Sequence, residues 1–160
     1  MTTQKSVITD EMRRLIGVES PPMVFEVDKS GIRRWADAIG DPNPIYWDEE
    51  YAKKSRYRGM ICPPGYLGWP TVPQRREPDT IGPFTRRVNG GTETEFFQPI
   101  KAGETLTATS KIVDIRERQG GPTTGLMLFV NRETTFKNKR GKVVAKFRGT
   151  LISYEGPTGK

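Results

Sequence analysis

From Asn89 to its end the chain alternates apolar and polar residues in long runs that only short turns interrupt. Such a period of two puts successive side chains on opposite faces of a strand. Thr92 to Gln98 reads as a first strand, and PIKAG over 99–103 as a turn. Thr105 to Glu117 reads as a long strand whose alternation slips at Ile112 and Val113, the mark of a bulge. A Gly-rich turn over 118–122 leads to a third strand, Thr124 to Lys137. Asn138-Lys139-Arg140-Gly141 is a hairpin turn. The last strand, Val143 to Tyr154, puts Val143, Ala145, Phe147 and Leu151 on one face and Lys146, Arg148 and Thr150 on the other. A meander of this kind is an antiparallel sheet with one apolar face to cover.

The cover must come from the first half. Thr9 to Ile16 reads as a short helix capped by Thr9 and stopped by Gly17, and Met23 to Val27 as a strand. Ile32, Trp35, Ala36 and Ile39 fall at i, i+3, i+4 and i+7, which specifies a helix with one buried face. Ser30 or Asp28 caps its start, and Gly40 stands where a helix ends in a left-handed residue. The next residues read DPNPIYW, so Asp41 is the first side chain beyond a buried helix. Pro42 and Pro44 fix their own φ and push Asp41 and Asn43 toward extended conformations. Asp48 to Lys54 reads as another short helix, capped by Asp48. Residues 55–88 hold six prolines and read as an ordered excursion or flap, with one short helix near Pro64 to Trp69. Early helices and a late meander give an α+β layout: one domain over 1–160, a curved sheet on a thin helical layer. A cover so thin is expected to be completed by a second copy or a second subunit.

Composition removes several function classes. The chain has no histidine, hence no Ser-His-Asp triad and no histidine-ligated zinc, and no metal site is expected. Its one cysteine, Cys62, forbids an internal disulfide, fits a reducing cytoplasm and reads as a small buried hydrophobe. No stretch approaches the roughly 20 apolar residues of a membrane span, and Met1 to Ser6 is too polar for a secretory signal. The formal charge of +7 favours anionic partners. Lys137, Lys139, Arg140, Lys142, Lys146 and Arg148 form a basic tail hairpin, read first as a solvated face and second as a contact for the phosphates of a ligand. It lacks the interleaved aromatics of a nucleic-acid surface, and none is expected to bind.

The stretch ADAIGDPNPIYWDEEYAKKSRYRGMICPPGYL, 36–67, resembles the hydratase motif of the MaoC-like hot-dog proteins, which include the (R)-specific enoyl-CoA hydratases. VNGGTETEFFQPIKAGETL, 88–106, resembles the strand and turn that come next in that family's N-terminal dehydratase domains. The resemblance implies a hot-dog fold, a curved antiparallel sheet wrapped around a helix, paired into a double hot dog. It implies that Asp41 is the catalytic aspartate, that Asn43 and Pro44 are the structural Asn-Pro, and that Tyr46 stands where the catalytic histidine belongs. Gly65, in Cys62-Pro63-Pro64-Gly65, matches the glycine whose N–H polarises the thioester carbonyl; a second histidine is missing there too. Pro64, Asn89 and Gly90 join Asn43 and Gly65 as substrate-lining candidates, Asn89 to Gly91 also serving a turn or bulge.

Hydration of an enoyl thioester needs a base for water, a proton for the α-carbon and a donor for the enolate oxygen. Tyrosine, with an ordinary pKa near 10, donates hydrogen bonds and is a poor base at neutral pH. The expectation is a subunit of an enoyl-thioester hydratase or 3-hydroxyacyl-thioester dehydratase that lacks the full Asp/His dyad. It would pair with a MaoC-like partner carrying both residues and bind an acyl-CoA or acyl-carrier-protein thioester with no other cofactor. The alternatives are a stand-alone hydratase working through Asp41 and a non-catalytic acyl-thioester binding module.

Overall fold

The computed structural model describes residues 6–68 and 81–157. Five strands form one antiparallel sheet: β1 (Met23–Glu26), β2 (Arg86–Phe96), β3 (Thr105–Gln119), β4 (Leu126–Asn138) and β5 (Val143–Tyr154). Their order across the sheet is β1-β3-β4-β5-β2. Consecutive strands β3, β4 and β5 pair as a meander, while β1 and β2 close its two edges. No helix among the described residues is long and apolar enough to cross a membrane.

The helices are α1 (Asp10–Arg14), α2 (Lys29–Ala38) and α3 (Glu49–Lys54), with 3-10 turns at Pro44–Tyr46 and Tyr66–Gly68. Thr9 caps α1, its hydroxyl accepting from the Met12 N–H at 3.2 Å. Asp28, not Ser30, caps α2, accepting from the Gly31 N–H at 2.7 Å. Two apolar clusters sit under the sheet. The larger holds Val27, Ile32 and Ala36 against Leu106, Ala108, Phe136 and Ala145. Fully buried side chains such as Ile32 and Leu106 contribute about 1.5–3 kcal/mol each. The smaller holds Met12 of α1 against Ile112, Ile115, Leu128 and Val130. The thin helical cover is thus split, with α2 over one end of the sheet and α1 over the other.

The bulge expected at Ile112-Val113 is present, for the register of β3 on β4 shifts between Ile112 and Asp114. The turn Asn138 to Gly141 is also present, Asn138 Oδ1 accepting from the Arg140 and Lys142 N–H groups. Three expectations need correction. The first long strand starts at Arg86 and not at Thr92, and of the turn or bulge expected at Asn89-Gly90-Gly91 the structure has the bulge, inside β2, where the register on β5 shifts. In β5 the register shifts beside Phe136 and Lys137, so Val144 joins Ala145 in the core and Val143 does not. The helix expected over Pro64 to Trp69 is a single 3-10 turn from Tyr66, and the flap expected beyond it, 69–80, lies outside the described residues.

The basic tail hairpin divides. Lys146 and Arg148 meet Glu133 on β4 at 3.3 and 2.9 Å, and Arg148 also reaches Glu93 and Glu95 on β2. These are cross-strand pairs that the order of residues along the chain does not show.

Candidate active site

The end of α2 explains why Asp41 is held so firmly. Gly40 has φ +66, and its N–H donates to the Asp37 carbonyl at 3.0 Å. The Asp41 N–H reaches back to the Ala36 carbonyl at 2.8 Å. This pair of bonds is a Schellman ending, which ties the residue two beyond the cap to the last helical turn. Asp41 then organises the turn beyond it. Its Oδ1 accepts from the Asn43 N–H at 2.9 Å, and its carbonyl accepts from the Trp47 indole at 2.9 Å. Asn43 Oδ1 accepts from the Ile45 N–H at 3.1 Å, starting the 3-10 turn that carries Tyr46 inward.

Tyr46 is 6% exposed. Burial pushes its phenol above the ordinary tyrosine value, and the Asp41 carboxylate, Cys62 and Tyr57 push the same way. Those neighbours place Asp41 and Tyr46 in one electrostatic neighbourhood. They also make Tyr46 a neutral hydrogen-bond donor at physiological pH. Cys62 is buried as expected, and desolvation pushes its thiol up, so it is no nucleophile. Tyr57 is a neighbour that sequence reading missed. The Arg56 guanidinium hydrogen-bonds its hydroxyl and lies 4.7 Å from its ring centroid. An aromatic between two arginines, Arg56-Tyr57-Arg58, was the available signal.

The Cys62–Gly65 segment docks on α2 from the other side. The Trp35 indole donates to the Pro64 carbonyl at 3.1 Å. Gly65 has φ +85, and a Cβ there would stand 2.7 Å from Trp35 Cζ2. Only glycine fits both the backbone angle and the indole. Pairing of Ile61 with Lys101, and the Cys62 N–H to Ile100 carbonyl bond at 2.7 Å, fix the segment to the connection between β2 and β3. The C-terminal half of α2 therefore anchors both the Asp41 turn and the Gly65 segment.

Asn89 and Gly90 lie elsewhere. Asn89 pairs with Leu151, six residues along β5 from Ala145 of the Tyr46 cluster, about 20 Å at a strand's rise. Asn89 Oδ1 accepts from the Gly91 N–H at 2.8 Å, and a Cβ on Gly90 would meet Thr150 and Ile152 within 2.9 Å. These contacts account for both residues as bulge formers on an exposed edge strand. A separate cavity of about 470 Å³, lined by Val7, Met12, Leu15 and Ile81, opens at the α1 end and includes none of the candidate residues.

Among known families, the FAS1-like dehydratase domain region matches residues 14–147. A UPF0336 protein of Streptomyces avermitilis is 34% identical over 110 residues, 66% of this chain and 73% of that one. A probable enoyl-CoA hydratase alpha subunit of Thermomonospora curvata is 26% identical over 77% of this chain, which spans only 43% of that relative. Among solved structures, the C-terminally truncated HadBC (3R-hydroxyacyl-ACP dehydratase) complex of Mycobacterium tuberculosis superposes with a TM-score of 0.72 at 22% identity. That match covers 87% of this chain and 97% of the other. A structural match at that identity speaks to architecture, and the five-stranded curved sheet agrees with it. The chain belongs to the FAS1-like dehydratase-region family and has the hot-dog fold of the MaoC-like dehydratases and hydratases.

Proposed function

We propose that this chain is the acyl-thioester-binding subunit of an enoyl-thioester hydratase or 3-hydroxyacyl-thioester dehydratase, and that it lacks half of the catalytic dyad. The observation that carries this reading is the buried Tyr46 phenol beside Asp41, held neutral where the chemistry needs a base. In hydration, water adds its oxygen to C3 of the enoyl group while a proton goes to C2 and the thioester oxygen bears the developing charge. Asp41 would accept a hydrogen bond from that water, and Tyr46 would donate one. The Gly65 N–H would face the thioester oxygen, with Asn43 and Pro64 shaping the pocket between.

A chain with one carboxylate and one phenol holds the water but leaves its activation incomplete. A missing positioned base costs about 10²–10⁴-fold in rate. The complement would come from a hot-dog partner with an intact Asp/His pair. Strand β2 supports such pairing: it is a sheet edge, eleven residues long, with Val88 49% exposed and Phe97 just beyond it 50% exposed. A long edge with free backbone groups is a template for another chain. Asn89 and Gly90, far from Asp41 within one chain, then belong to the paired edge, and reach a substrate only through it.

The test is hydration of crotonyl-CoA and a longer 2-enoyl-CoA by the purified chain, alone and with a co-expressed hot-dog partner. Weak or no turnover alone and turnover with the partner is the expected result. Full turnover by the chain alone, lost in Asp41→Asn, would overturn the reading in favour of a stand-alone enzyme.

A further inference from the structure

Two consecutive prolines make the backbone donors of the Cys62–Tyr66 segment easy to account for. Pro63 and Pro64 have no N–H, which leaves those of Cys62, Gly65 and Tyr66. The Cys62 N–H is spent on the Ile100 carbonyl at 2.7 Å, and the Tyr66 N–H on the Pro63 carbonyl at 3.2 Å. The Gly65 N–H has no acceptor among the described residues. Gly65 is half-buried between the buried Pro63 and Tyr66. An N–H that the local structure leaves unspent in such a place is open to an acceptor from outside the chain.

The other end of the same peptide group is fixed by Trp35. The Pro64 carbonyl, bonded to the Gly65 nitrogen, accepts from the Trp35 indole at 3.1 Å. The Pro64–Gly65 peptide is trans, so its N–H points opposite to its carbonyl and away from the indole N–H. The ring holds the peptide from a second side, since a Cβ on Gly65 would stand 2.7 Å from Trp35 Cζ2. A hydrogen bond at the oxygen and ring contact at the next Cα together set the direction of the N–H. Trp35 is seated against the larger apolar cluster. Its own carbonyl accepts from the Ile39 N–H at 3.2 Å, and the carbonyl of the next residue, Ala36, accepts from the Asp41 N–H at 2.8 Å. The end of α2 therefore sets both the Gly65 donor and the Asp41 carboxylate.

The indole bond also has an electronic effect that packing lacks. A hydrogen bond accepted by an amide oxygen draws electron density from the nitrogen and makes the N–H a stronger donor, by about 10–30% per bond. We infer, resting on the proposed function for the identity of the ligand, that Trp35 is a positioning residue for the thioester. It aims the Gly65 N–H and strengthens it as the donor to the thioester carbonyl oxygen. A phenylalanine at 35 would keep a ring on Gly65 and leave the peptide unpolarised.

The test reads the bound carbonyl. Butyryl-CoA carries the thioester and has no double bond to hydrate. Isotope-labelled at its carbonyl, it reports that one stretch in an infrared difference spectrum on the full chain, and the stretch falls as its oxygen accepts a stronger hydrogen bond. One variant is Trp35→Phe. The other replaces Trp35 by benzothienylalanine, which keeps the shape of the indole with sulfur in place of the N–H. Thermal melts confirm that each folds. The stretch should fall on binding to the parent chain, and the fall should shrink by about a third or more in both variants while Kd changes less than about threefold. A fall kept in full by both folded variants would overturn the inference and leave Trp35 a packing residue. A thioester that binds the parent chain with no fall at all would overturn it too, with the acyl site itself still standing. Loss of binding in both folded variants would also count against it, since Trp35 would then hold the segment in place and not aim its N–H. No binding by the parent chain would sink the proposed function, and the inference with it.

Discussion

Replacing Tyr46 by histidine is the sharpest perturbation of the proposed site. The phenol is 6% exposed, and burial holds it above the ordinary tyrosine value, with Asp41 adding to the shift. Below pH 10 it therefore supplies a proton donor and no base. An imidazole at the same position has an ordinary pKa near 6.5, which burial lowers and a neighbouring carboxylate raises, so it gains base character as pH climbs through its titration. A positioned general base contributes about 10²–10⁴-fold, equivalent to roughly 2.7–5.4 kcal/mol of barrier at 1.36 kcal/mol per decade. The imidazole is smaller than the phenol, and the space it leaves costs about 1–3 kcal/mol of stability. The expected result is a folded, less stable variant that hydrates crotonyl-CoA at least about 100-fold faster than the parent chain, with a rate that rises with pH through the imidazole's titration. Adding Asp41→Asn to that variant should return the rate to the parent's level. The assay is loss of enoyl absorbance at several pH values, beside a binding measurement with the same thioester. A variant that folds, binds crotonyl-CoA as the parent does and gains less than about tenfold would refute the view that the residue at 46 limits turnover.

Gly65→Ala should destabilise the fold by about 2–5 kcal/mol, from about 1–2 for a left-handed backbone angle plus about 1–3 for the Cβ forced onto Trp35. Denaturant unfolding followed by tryptophan fluorescence measures it, and a loss under about 1 kcal/mol would mean the Gly65 segment reseats without its indole contact. Glu133, 12% exposed, is pushed up by burial but held below the ordinary glutamate value by hydrogen bonds from Arg148 and Lys146. Its folded pKa lies under its unfolded one, so the unfolded chain binds the extra proton and this stabilisation, present above about pH 4.5, disappears as pH falls through the folded value. Glu133→Gln should cost about 1–3 kcal/mol at pH 7 and flatten the fall in stability below pH 4.5, and an unchanged acid limb would show that Glu133 does not set it.

Much of the fold was legible because its signals are local. The i, i+3, i+4, i+7 pattern of α2, its Asp28 cap, Gly40 at its end, the slip at Ile112-Val113 and the turn at Asn138 each depend on a few neighbouring residues. What was hidden depends on pairing across the chain. Arg86 to Asn89 carries no alternation, for an edge strand exposed on both faces has no core to write one into its sequence. Lys146 and Arg148 look like free cations until β4 and β2 bring Glu133, Glu93 and Glu95 alongside. Tyr57 acts on Tyr46 from the loop after α3, where its N–H donates to Ser55 Oγ and the Gly59 N–H reaches back to the Ala52 carbonyl, contacts that cross from loop to helix.

The site shows the same division between scaffold and chemistry. The Schellman ending and the Asn43 turn fix Asp41 in space, and the Trp35 dock fixes the Gly65 segment. Those features are backbone geometry, and backbone geometry is what a binding pocket needs. Among the described residues the Tyr46 side chain contributes no hydrogen bond to that geometry, and Asn43 and Pro44 start the turn that carries it. A change from tyrosine to histidine there alters the proton chemistry and the packing around the ring, and leaves the backbone bonds of the turn in place. A hot-dog chain can therefore shed its base while keeping its thioester pocket, provided another chain brings the base. On that argument the intact scaffold around Tyr46 is a prediction in its own right: affinity for an acyl thioester should survive in this chain where turnover does not.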